Sequence, residues 1–80
     1  MLTSTQIRMA RHALRWSVSE FAAITGVSIS TIKRIEASDV EPNSTKANLA
    51  TLKKALEAAG IEFIGTPEDG PGVRIHKQKD

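Results

Sequence analysis

The stretch SVSEFAAITGVSISTIKRIE, residues 17–36, predicts two short helices that are nearly contiguous and separated by a tight turn. Ser17 and Glu20 form a capping box, in which the hydroxyl accepts the Glu20 amide hydrogen and the carboxylate accepts the Ser17 amide hydrogen. This box begins a helix that we expect to end near Thr25. Gly26 then supplies a residue that can adopt positive φ in the turn.

The second helix of this stretch follows the turn directly and is expected to pack against the first. Ser28 is its predicted N-cap, because Ser, Thr, Asp and Asn are favoured at that position. The small side chain of Ala22 lets the two helices approach closely. Apolar side chains fill the wedge between them, namely Phe21, Val27, Ile32 and Ile35. This spacing is typical of a helix-turn-helix.

One helix precedes this unit and another follows it. Thr3 and Gln6 form a further capping box, and apolar residues at helical spacing extend the first helix to about Arg15. A loop is expected over residues 38–44, because its proline disfavours helix in the residue before it. An Asn or Ser of this loop is expected to cap the last helix, residues 45–59, whose leucines recur on one face.

The hydrophobic period changes from helical to two in the last quarter of the chain. Two short strands, residues 61–64 and 73–77, flank a turn-rich segment. Their alternating apolar residues are Ile61, Phe63, Val73 and Ile75. The predicted fold is therefore mainly α, with a four-helix domain in residues 1–60 and a short β-strand pair in residues 61–80.

A strand pair with one apolar face needs a cover, and this is where we expect a homodimer. The strands of two chains are predicted to join or stack into a sheet that buries Ile61, Phe63, Val73 and Ile75. The alternative that the sequence leaves open is a hairpin within one chain, folded on the last helix.

The composition excludes several classes of protein. The chain has 80 residues, no Cys and two His, which leaves no disulfide, no expected metal site and no room for a large catalytic fold. No cofactor is expected, and no nucleophile motif or Gly-rich phosphate loop indicates an enzyme. No stretch approaches the ~20 apolar residues of a membrane span, so we expect a cytoplasmic protein. Residues 1–60 carry eight Lys/Arg against five Asp/Glu, which favours a polyanionic partner.

Three segments together resemble the Cro and lambda-repressor-like family, also called XRE. They are WSVSEFA at residues 16–22, GVS at residues 26–28 and TIKRIE at residues 31–36. The resemblance covers roughly residues 3–59. It implies a compact helical DNA-binding domain, usually dimeric, that acts as a repressor or autoregulator.

Two positions depart from the pattern of that family. Val18 stands where the family often has a Gln that contacts DNA phosphate. Thr25 stands where a large aliphatic side chain is common, so we expect either a thinner core or Ile24 in its place.

In the family, the second helix of the motif lies in the major groove with its first residues at the base edges. With Ile32 and Ile35 buried, the outward side chains form the candidate base-reading set, which is Ile29, Ser30, Thr31, Lys33 and Arg34. Arg34 is suited to donate two hydrogen bonds to a guanine, and Ile29 to pack on a thymine methyl group. The alternatives are packing of Ile29 against a neighbouring side chain and plain solvated charges at Lys33 and Arg34.

Phosphate contacts are expected from the start of the helix that Ser17 caps and from the segment between the third and fourth helices. The candidates are Ser17, Ser19, Ser28, Ser38, Asn43, Thr45 and Lys46. For Ser17 and Asn43 a plain capping role is an equal alternative, and the two roles are compatible.

The resemblance also implies a structural ion pair. Arg11 and Glu36 match family positions that usually form such a pair between the first helix and the end of the third. Its loss would leave one charge uncompensated. Trp16 is expected to cover the corner between the first two helices.

The residues and the resemblance together predict a dimeric, sequence-specific regulator that binds double-stranded DNA and represses its own or a neighbouring operon. One alternative is the antitoxin of a toxin-antitoxin pair, whose C-terminal strands would hold the toxin partner. Another is a protein-interaction module without DNA. The response to salt separates them, because DNA binding weakens steeply as salt rises and an apolar protein interface hardly responds.

Overall fold

A computed structural model describes residues 2–38, 42 and 44–76. The elements in chain order are α1 Ser4–Ala13, α2 Val18–Thr25, α3 Ile29–Ala37, α4 Lys46–Ala58, β1 Ile61–Thr66 and β2 Asp69–Ile75. The four helices and the two-stranded antiparallel sheet confirm the predicted fold class. Within the described ranges, no helix has both the length and the apolar character needed to cross a membrane.

Side-chain caps set the starts of the helices. The capping boxes of Thr3 with Gln6 and of Ser17 with Glu20 both form, as predicted. The cap of α4 differs from the prediction, because Thr45, and not an Asn or Ser of the preceding loop, accepts a backbone N–H of the first turn. Thr is also a good N-cap, and the sequence offers several polar candidates in a row.

Helix α1 ends before the predicted Arg15. Arg15 has a φ of 60°, in the left-handed region, and its N–H donates to the carbonyl of His12 at 3.0 Å. The N–H of Trp16 reaches back to the carbonyl of Arg11 at 3.1 Å, which completes a Schellman ending. Glycine usually occupies this left-handed position, so an Arg there gives no signal in the sequence that the helix stops.

The core lies where the four helices and the start of β1 meet. Its buried apolar residues are Ile7, Ala10, Phe21, Val27, Ile32, Ile35, Leu52, Leu56 and Ile61. All predicted wedge residues are among them, which confirms the packing expected between α2 and α3. Ile24 is 53% exposed and therefore does not replace the missing aliphatic side chain. The hydroxyl of Thr25 instead donates to the carbonyl of Phe21 at 2.8 Å and accepts the Val27 N–H at 3.2 Å.

Strands β1 and β2 form a hairpin within one chain, with Ile61 opposite Ile75 and Phe63 opposite Val73. The strand pairing therefore follows the alternative that the sequence left open, a hairpin within one chain, and the joining or stacking of the strands of two chains stays a prediction. The hairpin packs on α1 mainly through β2 and on α4 through β1. Residue 77 of the predicted second strand lies outside the described residues.

Gln6 of α1 holds the hairpin from the helical side. Its Oε1 accepts the Thr3 N–H at 2.9 Å, and its Nε2 donates to the carbonyls of Ile64 and Gly72, each at 2.9 Å. The residue is 1% exposed. One buried amide thus closes the cap of α1 and binds both strands.

Gly65 permits the tight end of the hairpin. The pairing register shifts between Ile64 and Thr66, and Gly65 has a φ of 78°. A Cβ atom at this position would lie 2.3 Å from the carbonyl oxygen of Gly70. Both the backbone conformation and the close approach therefore require glycine here.

Candidate nucleic-acid interface

Helix α3 has two faces of opposite character. Ile32 and Ile35 are 0% exposed, whereas Ile29 is 43% exposed. The other candidate base-reading residues follow the helical period, since Ser30, Lys33 and Arg34 are exposed and Thr31 is half-buried. The structure therefore brings four of the five predicted residues to the outer surface of one short helix and leaves Thr31 at the margin of that surface.

The start of α3 carries a cluster of hydroxyl groups. The Ser28 hydroxyl accepts the Thr31 N–H at 3.2 Å and donates to Thr31 Oγ1 at 2.8 Å. The Oγ atoms of Ser28 and Ser30 are 3.3 Å apart. Ser28 is thus engaged both as the cap of α3 and as a donor to the Thr31 hydroxyl.

The start of α2 is organised around its capping box. Ser17 Oγ accepts the Glu20 N–H and Glu20 Oε1 accepts the Ser17 N–H, both at 3.0 Å. These bonds, chiefly the one from the Ser17 backbone, hold the pKa of Glu20 below its ordinary value. Ser17 therefore has the capping role, and Glu20 stays ionised at neutral pH. Ser19 is the exposed hydroxyl of this turn that the box leaves out.

The connection from α3 to α4 holds the remaining candidate phosphate contacts. Ser38 is half-buried directly after α3, and Thr45 and Lys46 are exposed at the start of α4. The Thr45 hydroxyl accepts the Asn48 N–H at 3.2 Å. Asn43 lies outside the described residues. A helix N-terminus favours anions because its first amides are unpaired, and this one carries a lysine in addition.

A buried ion pair joins α1 to the end of α3. Arg11 Nε lies 2.8 Å from Glu36 Oε2, and Arg11 Nη2 donates to Glu36 Oε1 at 2.8 Å. The two residues are 9% and 7% exposed. The hydrogen bonds to Glu36 raise the pKa of Arg11 above its ordinary value. This bidentate geometry fixes the position of α3 relative to the body of the protein.

Two further contacts near this pair escaped the sequence analysis. Arg8 Nη1 donates to the backbone carbonyl of Glu36, and Arg11 Nη1 donates to the carbonyl of Trp16 at 2.9 Å. The signal for the first was the spacing of Arg8 and Arg11, which puts both on one face of α1. Trp16 is half-buried, and its ring centroid lies 5.9 Å from that of Phe21 near the corner between α1 and α2.

The residues expected at a dimer interface share one face of the hairpin but are covered unequally. Ile61 is 3% exposed and Ile75 is 60% exposed. Phe63 and Val73 are half-buried against the edge of the core.

Comparison with known proteins gives one match. A family model described as a helix-turn-helix matches residues 7–64, from within α1 to within β1. No curated protein and no solved structure matches the chain. The matched range contains the α2–α3 unit, both members of the buried ion pair and the exposed face of α3.

Proposed function

Because the chain belongs to the helix-turn-helix family of DNA-binding transcription regulators, of XRE type, we propose that it recognises a specific operator as a dimer. Helix α3 enters the major groove of double-stranded DNA, and binding represses the protein's own or a neighbouring operon. The two α3 helices of the dimer read half-sites about 10 bp apart, roughly 34 Å along the duplex.

The exposed face of α3 is the observation that carries this proposal. An isoleucine, a serine and two cations project from a helix whose opposite face is anchored in the core. Arg34 donates two hydrogen bonds to guanine N7 and O6, and Ile29 packs on a thymine methyl group. Ser30, Thr31 and Lys33 supply further donors and acceptors to neighbouring bases or phosphates.

Phosphate contacts set the register of α3 on the duplex. Ser19 at the start of α2 and Lys46 at the start of α4 are the strongest candidates, because both are exposed at helix N-termini. Ser17, Ser28 and Thr45 contribute chiefly as caps that orient these N-termini. Ser38 borders the same surface.

The test is binding to a labelled duplex from upstream of the gene, with a scrambled duplex as competitor, at near-physiological salt. We expect nanomolar protection of a two-fold site by the wild-type protein. Arg34→Ala should lower operator affinity by about 1–3 kcal/mol and leave scrambled DNA nearly unaffected, because it removes a base contact. The slope of log affinity against log salt should be about −0.9 per phosphate neutralised.

Lys54→Ala is the matched control, because Lys54 is an exposed cation on α4 outside the proposed interface. It should change the affinity for operator and scrambled duplex equally. Equal, weak and salt-sensitive binding of the wild-type protein to both duplexes would contradict sequence-specific recognition.

A further inference from the structure

Arg15 joins α1 to α2 in a backbone conformation that is unusual for an arginine. Its φ of 60° lies in the left-handed region, and no other non-glycine residue among those that the structure describes has a positive φ. A residue with a Cβ atom is strained in this region, whereas glycine adopts the same conformation without strain. The junction therefore requires a left-handed residue, but it does not require an arginine.

The side chain of Arg15 has no partner that would offset this strain. Arg11 binds the Glu36 carboxylate at 2.8 Å, and Arg74 lies 3.4 Å from the carboxylate of Glu62. Within the described part of the chain, the exposed guanidinium of Arg15 makes neither a hydrogen bond nor an ion pair. Because strained backbone positions cluster at functional sites, a strained cation without a partner indicates a contact with another molecule.

Three hydrogen bonds hold the backbone that carries this side chain. The Arg15 N–H donates to the His12 carbonyl at 3.0 Å, and the Trp16 N–H donates to the Arg11 carbonyl at 3.1 Å. The third runs from Arg11 Nη1 to the Trp16 carbonyl at 2.9 Å. Arg11 also binds Glu36 at the end of α3. One guanidinium therefore fixes the junction and α3 in relation to each other.

The position of Arg15 in the fold is the entrance to α2. Ser17, the N-cap of α2, follows two residues later, so its Cα atom lies at most about 7 Å from that of Arg15. In helix-turn-helix complexes the first helix of the motif crosses the DNA backbone while the second lies in the major groove. With α3 in the groove, the entrance to α2 lies beside phosphate groups.

We propose that Arg15 binds a phosphate group of the DNA backbone, and that this contact is the reason an arginine and not a glycine occupies the left-handed position after α1. The inference rests on the proposed function and adds to it a residue that the sequence pattern did not indicate. A guanidinium donates two parallel hydrogen bonds to phosphate oxygens. The contact fixes the position of α3 on the duplex, and it reads no base.

The proposal predicts that one substitution changes stability and DNA affinity in opposite directions. Arg15→Gly relieves the backbone strain, so its Tm should be slightly above that of the wild-type protein. For each Arg15 in contact, affinity should fall about fivefold at 0.15 M salt and about twofold at 0.5 M, because one neutralised phosphate contributes about −0.9 to the salt slope. Operator and scrambled duplex should lose affinity alike, since both carry the phosphate.

Three further variants separate the guanidinium from the backbone and from the net charge. Arg15→Ala keeps a Cβ atom in the left-handed region, so it should lose the same affinity as Arg15→Gly without the gain in Tm. Arg15→Lys keeps the charge and should keep the salt slope, with a smaller loss of affinity. Lys54→Ala removes an exposed cation of α4 outside the interface and should leave the slope nearly unchanged.

Neutral phosphate analogues locate the contact on the DNA. A series of operator duplexes carries one methylphosphonate each, in place of a different phosphate. The duplex that lacks the charge bound by Arg15 should weaken binding of the wild-type protein and have no further effect on Arg15→Ala. All other positions should affect the two proteins equally, which is the signature of a double-mutant cycle.

Three results overturn the proposal. The first is wild-type affinity and salt slope in both Arg15→Gly and Arg15→Ala. The second is a loss of affinity in Arg15→Gly alone, which assigns the effect to the backbone. The third is a loss confined to the operator, which makes Arg15 a base contact. Sequence-specific recognition is judged separately, from the ratio of operator to scrambled affinity and its response to Arg34→Ala.

Discussion

The α2–α3 unit and the C-terminal hairpin are both attached to α1, the first by an ion pair between side chains and the second by hydrogen bonds from a side chain to the backbone. Arg11 binds the side chain of Glu36, 25 residues away, whereas Gln6 binds backbone carbonyls 58 and 66 residues away. An ion pair requires particular residues at both ends, so the resemblance to a family could imply both of them. Every residue has a backbone carbonyl, so the sequence does not reveal which residues of the hairpin Gln6 binds.

The largest expected effect on stability comes from breaking the ion pair that attaches the α2–α3 unit to α1. Arg11→Ala leaves the Glu36 carboxylate buried without its bidentate partner, and we expect a loss of about 4 kcal/mol in the free energy of unfolding. Urea denaturation measures it. The double variant Arg11→Met with Glu36→Leu should recover part of the loss, because no unpaired charge remains. A loss below about 1 kcal/mol in Arg11→Ala would mean that the pair contributes no more than a surface ion pair.

Gln6→Glu tests the attachment of the hairpin to α1, because it keeps a side-chain oxygen that accepts the Thr3 N–H. The variant loses both donor hydrogens and sets a carboxylate oxygen against the carbonyls of Ile64 and Gly72. We expect a loss of about 3 kcal/mol at neutral pH. The loss should shrink as the pH falls, because burial beside two carbonyls raises the pKa of the new carboxyl and protonation restores a donor.

Thr3→Ala is the matched control for Gln6→Glu. It breaks the same cap without touching the hairpin and should cost about 1 kcal/mol. Hydrogen exchange locates the loss of stability, because Gln6→Glu should accelerate exchange of the amide hydrogens of β1 and β2, whereas Thr3→Ala should not. Equal losses in the two variants would show that the contact with the strands adds nothing.

The same contrast explains how much the sequence could predict. The α2–α3 unit was predictable in detail because its determinants lie within a few residues of each other: the Ser17 and Glu20 box, the turn at Gly26 and the inward Ile32 and Ile35. The strands were predictable from their period of two. Their pairing within the chain and their attachment to α1 were not, because both depend on backbone groups distant in sequence.

Two glycines sharpen the comparison, since Gly26 in the α2–α3 turn and Gly65 in the hairpin both have a φ of 78°. A Cβ at Gly26 would meet nothing within 4 Å, whereas one at Gly65 would lie 2.3 Å from the Gly70 carbonyl oxygen. Gly26→Ala should cost about 1 kcal/mol, the strain of the left-handed conformation alone. Gly65→Ala should cost about 2 kcal/mol more, because the backbone must move as well. Thermal unfolding of both variants in one buffer measures the difference, and equal costs would show that the hairpin relaxes freely around the added carbon.

The smallest expected effect is a gain, at the junction that joins α1 to the α2–α3 unit. Arg15 has a left-handed φ of 60°, so Arg15→Gly should raise the free energy of unfolding by about 1 kcal/mol. The greater conformational entropy of glycine in the unfolded chain offsets part of this gain. Arg15→Ala separates backbone from charge, because it removes the guanidinium and keeps the strain. If Arg15→Ala stabilises the protein as much as Arg15→Gly does, the cost at this junction comes from the cation and not from the backbone. If only Arg15→Gly stabilises the protein, the cost comes from the left-handed backbone. The operator affinity of Arg15→Gly should then be compared with that of the wild-type protein, to test whether the Arg15 side chain contributes to DNA binding.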